Sequence, residues 1–579
     1  MGRGKPANLT TVNLTGGTIE GDVYGGGMGD ADTEAKVGST LVKLNGTETI
    51  DPETGEKSYL DDCVVKGNIF GCNNVNGTPL GNATVHIYKT QGYEGHMRTD
   101  SEKLDNIDDS QHSYELNAVY GGGNLAAYVP TDLENCKATV IIDGCELTSI
   151  KTVYGGGNAA STPATQVDIN GTYEIEEVFG GGNGKDDVSY NGGITYIKNP
   201  GANVGYKDYT LYNDAGETYD NPAYNTKEKR TGSDIVYGTG AANVNIYGGR
   251  VHRVFGGSNT KGNVRITAVT MLEEAGGCEF CVDEAYGGGK EAPMDAEAKL
   301  LMACIPGLSA AYGGAQDANI EGGVTLTITN GTFDRVFGGN NLSGTISGPI
   351  VVNIEETGCK PIIIGELYGG GNLAGYSVYG YNADKTPKES GSSKLYDDPV
   401  VNVRSFTSIG NVFGGGYGES ATMVGNPTVN ISVTEGEHKE TFVGENATTA
   451  TLRTGNTAAE GGYPVPSHKA GAIGAINNVY GGGNAAKVVG NTNVNIATKI
   501  GDYVYMAKHF KAGDSVEGCY TRSGETYTQV AAGTVAEDGT TYYLKRDFKG
   551  ADIRGNIYGG GNEAKVTGNT NVVVGKKKE

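Results

Sequence analysis

The amino-acid sequence predicts an all-β fold: a right-handed parallel β-helix, or β-solenoid, of about 13 to 14 coils with β-hairpin insertions. Three observations predict it: a glycine-rich motif that recurs thirteen times, a shortest repeat of about 25 residues, and two apolar stretches in each repeat. Glycine supplies 96 of the 579 residues without the Gly-X-Y period of collagen. The 37% of hydrophobic residues exceeds what a disordered low-complexity chain contains.

The recurring motif is an aliphatic residue, then Tyr or Phe, then a glycine run. At a solenoid corner neighbouring backbones come close, which residues without a Cβ permit. We expect the aromatic before the run and the Asn after it to stack from coil to coil as ladders. A weaker copy at Tyr237 is a candidate fourteenth. The thirteen corner aromatics are Tyr24, Phe70, Tyr120, Tyr154, Phe179, Phe255, Tyr286, Tyr312, Phe337, Tyr368, Phe413, Tyr480 and Tyr558.

The apolar stretches of each repeat read as short strands. The first alternates, as in Val167-x-Ile169 and Val324-x-Leu326, which is the period of two of a strand with one face on a core. The second runs into the glycines, and a brief third follows them near Val488 and Val566. A β-propeller is the rival architecture, but 25 residues are too few for a four-stranded blade and the chain has no Trp.

We interpret residues 1–579 as one continuous β-helix and expect it to be part of a longer protein, because Val572 to Val574 ends in mid-coil. Gly-Glu turns at Gly55, Gly216 and Gly524 predict hairpins, and residues 294–303 form the one helical candidate. Binding sites on solenoids usually lie in insertions between coils. The six long insertions are 89–115, 185–235, 290–310, 376–398, 433–472 and 497–550.

The insertion 497–550 is rich in tyrosine and long enough for a small β module. Its tyrosines predict a binding surface, and the alternative is that they pack the module's own core. The residues predicted to bind are Tyr503, Tyr505, Tyr520, Tyr527 and Tyr542.

Two weak motifs suggest metals. Cys278 and Cys281 form a CxxC pair that suggests a zinc or redox site, but no second ligand pair follows it. Most of the other cysteines are expected to be small apolar wall residues. The nine cysteines are scattered and odd in number, so they predict no disulfide framework. Asp186 and Asp187 lie in a single match to the calcium nonapeptide repeat, where a solvated acidic surface is the alternative to Ca²⁺.

Other chemistry finds little support in the sequence. No catalytic residues are predicted, because the histidines lack metal-site spacing and adjacent carboxylates on a strand point to opposite faces. The net charge of −23 argues against nucleic acid and anionic membranes as partners. No apolar stretch is long enough for a membrane helix, so no membrane insertion is expected in this segment, and the first residues lack the apolar region of an export signal.

The (V/I/L)(Y/F)GGGN units resemble those of large repeat proteins from gut and oral anaerobic bacteria. They resemble more loosely the β-helical adhesins and polymorphic outer-membrane proteins, whose FxxN and GGA tetrapeptides match Phe70–Asn73, Phe337–Asn340 and Gly313–Ala315. The resemblance implies an extracellular or cell-surface adhesin or spacer, with no catalytic residues to carry over. Glycans or surface proteins are the expected partners, and no cofactor is expected, with Ca²⁺ as the one candidate ion. The alternatives are a β-helical polysaccharide lyase or glycoside hydrolase that uses acidic residues and Ca²⁺, and an intracellular scaffold.

Overall fold

The fold follows from a computed structural model, in which the described residues form β-strands, turns and loops without a helix. They divide into two compact units, Met1–Lys299 with Ala315–Gly322, and Leu300–Gly314 with Gly323–Glu579. The described residues are 8–30, 32–55, 57–90, 114–184, 188–190, 195–197, 202–206, 210–212, 218–220, 236–273, 277–377, 398–435, 463–468, 471–537 and 540–576.

Each coil opens with a strand that we call its first strand. In the first unit these are Leu9–Leu14, Ser39–Leu44, Ala83–Ile87, the opening parts of Ala138–Tyr154 and Thr165–Phe179, Ala241–Ile246 and Ile266–Leu272. In the second unit they are Val324–Ile328, Ile350–Glu355, Val400–Ser405, Thr428–Ile431, Thr492–Ile496 and Thr570–Val574. Ala298–Cys304 is a further strand of this type.

A second strand, the corner strand, ends at the aromatic residue of each motif. In the first unit the corner strands are Val23–Tyr24, Asn68–Phe70, Leu116–Tyr120, the closing parts of Ala138–Tyr154 and Thr165–Phe179, Gly249–Phe255 and Phe280–Tyr286. In the second unit they are Gly307–Tyr312, Gly331–Phe337, Ile362–Tyr368, Ser408–Phe413, Ala475–Tyr480, and the pair Asp552–Ile553 and Ile557–Tyr558.

Short strands form the third side of the coils and the predicted hairpins. The third-side strands, which follow the glycine runs, are Ala35–Val37, Gly77–Pro79, Tyr376–Ser377, Met423–Val424 and Val488–Val489. Thr18–Ile19 and Val64–Val65, which pair in parallel, lie between the first and corner strands of their coils. The hairpin strands pair in sequence order as Glu48–Ile50 with Lys57–Tyr59, Val188–Tyr190 with Thr195–Ile197, and Thr210–Tyr212 with Thr218–Asp220. The remaining strands, Val433–Thr434, Tyr503–Lys508, Tyr520–Ser523, Thr526–Gln529 and Tyr542–Gly550, belong to one antiparallel sheet in the second unit.

Like strands of successive coils pair in parallel and in register, as a parallel β-helix requires. In the first unit Phe179 lies opposite Phe255, which lies opposite Tyr286. In the second unit Phe337 lies opposite Tyr368, which lies opposite Phe413. In the first strands other than the terminal ones, Leu9–Leu14 and Thr570–Val574, alternate residues point inward and are buried, so the apolar core runs through the coils of each unit. The predicted parallel β-helix with hairpin insertions is confirmed.

The corner aromatics stack on one another from coil to coil. Their ring centroids lie 4.6–5.0 Å apart in the first unit and 4.6–5.2 Å in the second, with nearly parallel planes. These distances match the roughly 4.8 Å spacing of paired strands, so backbone pairing by itself brings the rings into contact. Seven corners belong to the first unit and six to the second.

The first residue after each aromatic is glycine in all thirteen motifs. At eleven of these corners an added Cβ would lie 2.3–2.6 Å from the carbonyl oxygen of the same glycine in the next coil. No positive φ is involved, so the requirement is for space between coils. The third residue after the aromatic is less constrained, because Ser258, Ala315 and Asn340 occupy it.

The asparagines after the glycines form amide ladders. In the first unit each Nδ2 donates to the preceding Oδ1 along Asn74, Asn124, Asn158, Asn183 and Asn259, at 2.8–2.9 Å. The ladder of the second unit is interrupted at Tyr417, whose ring packs edge-on against Tyr368. The amides therefore satisfy one another where no strand hydrogen bonds reach.

Two disulfides link coils at the turn between first and corner strands, so the prediction of no disulfide framework is wrong. Cys145 bonds Cys278 with their Cα atoms 5.5 Å apart, and Cys304 bonds Cys359 at 5.6 Å. The first disulfide spans two intervening coils. It passes Gly171, where an added Cβ would lie 1.9 Å from the Cys278 sulfur, and Gly248, where an added Cβ would lie 3.2 Å from the Cys278 Cβ. Sequence spacing hides these pairs, because the partners lie 133 and 55 residues apart.

Two further expectations are wrong. The helical candidate 294–303 overlaps a strand, Ala298–Cys304, because Ala298, Leu300 and Met302 alternate inward and their burial outweighs helix propensity. Tyr237 is not a corner residue, because the rings of Phe179 and Phe255 stack directly on each other and no further ring lies between them.

Gly482→Ala tests the steric requirement at the corners. Its Cβ would lie 2.8 Å from the backbone nitrogen of Gly561, whereas the equivalent position Gly560 has open space around it. We expect Gly482→Ala to lower the free energy of unfolding by about 1–3 kcal/mol and the control Gly560→Ala to be neutral or slightly stabilising. Denaturant midpoints of both variants measure this, and equal effects would contradict the model of coil packing.

Thiol counting tests the disulfides. Protein oxidised during export or refolding should show five reactive thiols after denaturation and nine after reduction, because Cys63, Cys72, Cys136, Cys281 and Cys519 remain thiols. Reduction should lower stability, since a closed loop of about 100 residues contributes up to about 4–5 kcal/mol. The double variant Cys145→Ser/Cys278→Ser should keep five thiols before reduction and show seven after it. Nine thiols before reduction would refute the pairing.

Candidate functional site

The candidate site is built on an antiparallel module inserted in the second unit. We define the module as residues 499–550, whose last long strand, Tyr542–Gly550, pairs with Tyr503–Lys508 and with Val433–Thr434. The hydroxyl of Thr357, in a coil turn, donates to the carbonyl of Ala507 at 2.6 Å. These contacts attach the module to the coils of its own unit.

One side of the module sheet faces a small core. Val516, Cys519, Ala536 and Tyr542 are buried there. Phe510, Val530 and Leu544 pack against them and are partly buried. The module therefore has an apolar cluster of its own, which fixes the positions of the strands.

The other side carries a cluster of tyrosines that we call the tyrosine face: Tyr503, Tyr505, Tyr520, Tyr527 and Tyr543. The rings of Tyr505 and Tyr527 stack with centroids 4.0 Å apart and planes 4° apart. Tyr520 meets Tyr505 edge-on at 4.9 Å, and Tyr543 meets Tyr527 edge-on at 5.1 Å. The five rings thus support one another as a continuous aromatic surface.

The tyrosine face is open to solvent and flanked by cations. Tyr503 is 53% exposed, and the other four rings are partly exposed. The ammonium of Lys545 lies 3.9 Å from the centroid of Tyr503, and the guanidinium of Arg522 lies 5.6 Å from that of Tyr527. Partial burial raises the pKa of Tyr527, which Arg522 opposes. The hydroxyl of Tyr527 therefore stays protonated at neutral pH. Tyrosine hydroxyls can both donate and accept hydrogen bonds.

Tyr542 does not belong with the other tyrosines predicted to bind. It is 3% exposed and lies in the module core, while its neighbour Tyr543 points to the tyrosine face. Adjacent residues of a strand point to opposite sides of a sheet, so only one of the two can share a side with Tyr520. The alternation in the sequence carries this signal, but only the strand pairing shows which of the two lies outside.

A cleft of about 540 Å³ adjoins the tyrosine face, and we call it the module cleft. One wall consists of first-strand residues of the coils, and the other belongs to the module. The lining residues are Asn402, Arg404, Asn430, Ser432, Thr498, Lys499, Asp502, Tyr503, Val504 and Phe548. Tyr503 is common to the cleft and the tyrosine face, so one ligand can contact both.

The predicted metal ligands receive no metal-like arrangement in the described part of the chain. Cys278 is bonded to Cys145, so the CxxC pair does not offer two thiolates. The sulfur of Cys281 instead accepts a hydrogen bond from Arg250 at 3.1 Å. Asp186 and Asp187 lie outside the described residues. Among the residues described, no group of three or more His, Cys, Asp or Glu side chains is arranged to hold a metal ion.

An ionic cluster that the sequence did not reveal lies on the corner strands of the first unit. Both ring nitrogens of His252 lie 2.8 Å from carboxylate oxygens, Nδ1 from Asp283 and Nε2 from Glu174. Arg253 contacts Glu177 at 3.0 Å, and Lys290 contacts the same carboxylate at 2.8 Å. These partners lie 31 to 113 residues apart in sequence, so only the stacking of coils brings them together.

The geometry of this cluster favours a structural role. Both imidazole nitrogens of His252 are engaged by carboxylate oxygens. In that state the ring has no free nitrogen with which to take a proton from a substrate. The carboxylate of Glu174 is almost fully buried, which makes its pairing with His252 important for stability.

Comparisons with known proteins give no indication of what this site binds. No protein-family model, no curated protein and no solved structure matches the chain. None of the described residues belongs to a helix that is long and apolar enough to cross a membrane.

Replacement of His252 tests the role of the ionic cluster. His252→Ala leaves two partly or fully buried carboxylates without their shared donor, and we expect the free energy of unfolding to fall by about 2–4 kcal/mol. Lys66→Ala is the control, because it removes the exposed pair with Glu20 at 2.9 Å and should cost less than about 1 kcal/mol. Denaturant unfolding measures the loss of stability in both variants. A neutral His252→Ala would show that the cluster does not support the fold.

Proposed function

We propose that this protein is a non-enzymatic, secreted or cell-surface β-helical adhesin or spacer that binds glycans through its inserted module. The observation that carries the proposal is the tyrosine face, a solvent-open surface of five mutually supporting rings beside a cleft. Isolated exposed aromatics are common on proteins, but a contiguous exposed patch of this kind is typical of a binding site.

The chemistry of the tyrosine face suits sugars. A pyranose ring has an apolar face that packs on an aromatic ring, and its hydroxyls exchange hydrogen bonds with tyrosine hydroxyls. Tyrosine has few rotatable bonds, so it contributes contact area at a small entropic cost. The mutual packing of Tyr505 with Tyr520 and Tyr527 lowers that cost further, because the rings are already held in place.

The disulfides support a location outside the cytoplasm. Such bonds persist in oxidising compartments and are rare in the reducing cytosol. The coils support a spacer role, because in-register parallel strands continue from coil to coil through each unit. The binding residues are then held on a rigid stack of strands.

The polysaccharide lyase or hydrolase is the alternative function, because the parallel sheets of a β-helix offer a long surface along which a polysaccharide can lie. The cluster around His252 combines acids, a histidine and an arginine on an outer strand face, but these groups are paired with one another, and that pairing favours a structural role over cleavage of a glycosidic bond. The binding assay below therefore includes a measurement of new reducing ends and of unsaturated-uronate absorbance. Turnover of any polysaccharide by the wild-type protein would replace the binding function with an enzymatic one.

A glycan panel tests the proposed function. The wild-type protein is applied to immobilised neutral and acidic polysaccharides and its retention is compared with that of Tyr503→Ala/Tyr527→Ala. We expect binding to weaken at least tenfold, because a central aromatic contributes on the order of 2 kcal/mol. Thr528→Ala is the control, since Thr528 is exposed on the same strand and points away from the tyrosine face. Retention of no glycan, or equal retention of both variants, would refute the proposal.

A further inference from the structure

The module cleft has a feature that the tyrosine face lacks, an amide ladder on its coil wall. The Nδ2 of Asn402 donates to the Oδ1 of Asn353 at 3.0 Å, Asn430 donates to Asn402 at 3.1 Å, and Asn495 donates to Asn430 at 2.9 Å. Along the ladder Asn402 and Asn430 each use one amide hydrogen and one carbonyl lone pair. Since an amide has two of each, both retain a donor and an acceptor for a ligand.

Arg404 lies beside this ladder in a fixed orientation. Its Nη1 donates to Glu355 of the preceding coil, which is 6% exposed. Burial raises the pKa of Glu355, and Arg404 opposes that rise. The contact with Glu355 uses only part of the guanidinium, which has five N–H donors, so the fork can also receive a carboxylate at the cleft. The Arg404 side chain remains 29% exposed.

The charges around the cleft favour an anionic ligand. Lys499 lines the cleft and is exposed, and Lys545 lies over Tyr503. Asp502 lines the cleft as well, but Lys576 neutralises it at 3.1 Å. Asp547 lies opposite Tyr503. The charged groups around the cleft are therefore four cations and three carboxylates: Arg404, Lys499, Lys545 and Lys576 against Asp502, Glu355 and Asp547. This positive balance contrasts with the net charge of −23 of the whole chain.

We propose that the module cleft binds the carboxylate of a uronic acid residue in an oligosaccharide whose neighbouring sugar rings pack on the tyrosine face. This inference rests on the proposed glycan-binding function and names its ligand class. Arg404 and Lys499 bind the carboxylate, Asn402 and Asn430 bind ring hydroxyls, and Tyr503 stacks on the sugar. A carboxylate fits better than a point anion, because the planar guanidinium matches it in a bidentate geometry.

The test compares two ligands that differ only in charge: an oligogalacturonate and the same oligosaccharide after reduction of its carboxyl groups to alcohols. Calorimetry at low and high salt gives the affinity of the intact 579-residue protein for each. We expect the acidic ligand to bind at least tenfold more tightly at low salt, with a smaller ratio at high salt because the contact is electrostatic.

Variants of the cleft residues identify the side chains that cause the preference for the acidic ligand. Lys499→Gln should reduce the acid preference three- to tenfold, because it weakens binding of the acidic ligand more than binding of the neutral one. Glu355→Gln/Arg404→Gln removes the ion pair together, so no buried charge is left alone, and it should also reduce the preference. Lys66→Gln, which removes one exposed charge in the first unit, should keep the wild-type ratio. Tyr503→Ala should weaken both ligands alike.

Different results would overturn the uronate assignment and the proposed glycan-binding function. Equal binding of both ligands by the wild-type protein would overturn the uronate assignment and leave glycan binding intact. An unchanged acid preference in both cleft variants would overturn the assignment of the cleft. Tighter binding of a sulfated oligosaccharide than of the uronate would overturn the carboxylate as the recognised group. Binding of no glycan would overturn the proposed function together with this inference.

Discussion

The close approach of glycine backbones at the coil corners is the constraint on which the rest of the structure depends. The carbonyl oxygen of the next coil lies where a Cβ atom on the corner glycine would be. Because the corner admits no side chain, successive coils can stack at the normal strand spacing. The aromatic, amide and apolar ladders all follow from that spacing, since each repeats one residue type at one position of the coil.

The same constraint explains where function can lie. The stacked positions must hold residues that pack against copies of themselves, so the coils have little freedom to evolve a specific surface. Insertions leave the stack and are free of that requirement. The module in the second unit uses this freedom: its core side is an ordinary apolar cluster, and its other side exposes the tyrosine face. The amide ladder of the coil wall supplies the polar part of the cleft.

Polar groups and disulfides complete the coils without disturbing the repeat. The hydroxyls of corner tyrosines find partners close by, as Tyr286 does with Glu284 and Tyr368 with Glu366, two residues earlier in each case. The disulfides cross intervening coils at the turns, where Gly171 leaves space for sulfur. Charged residues on the corner strands neutralise one another across coils, as His252 does with Glu174 and Asp283.

The sequence by itself determined the repeat, the parallel β-helix, the hairpins and the tyrosine-rich insertion. These depend on local patterns, namely the corner motif, the alternation of Val324 to Ile328 and the turn at Gly524. Only the tertiary structure decided which distant residues meet: the disulfide partners, the cluster around His252, the cleft at Arg404, and the exchange of Tyr542 for Tyr543. The physical reason is that insertions of unequal length separate neighbouring coils. Residues in contact therefore stand at no fixed distance in sequence, and their register is set by the stacking of coils.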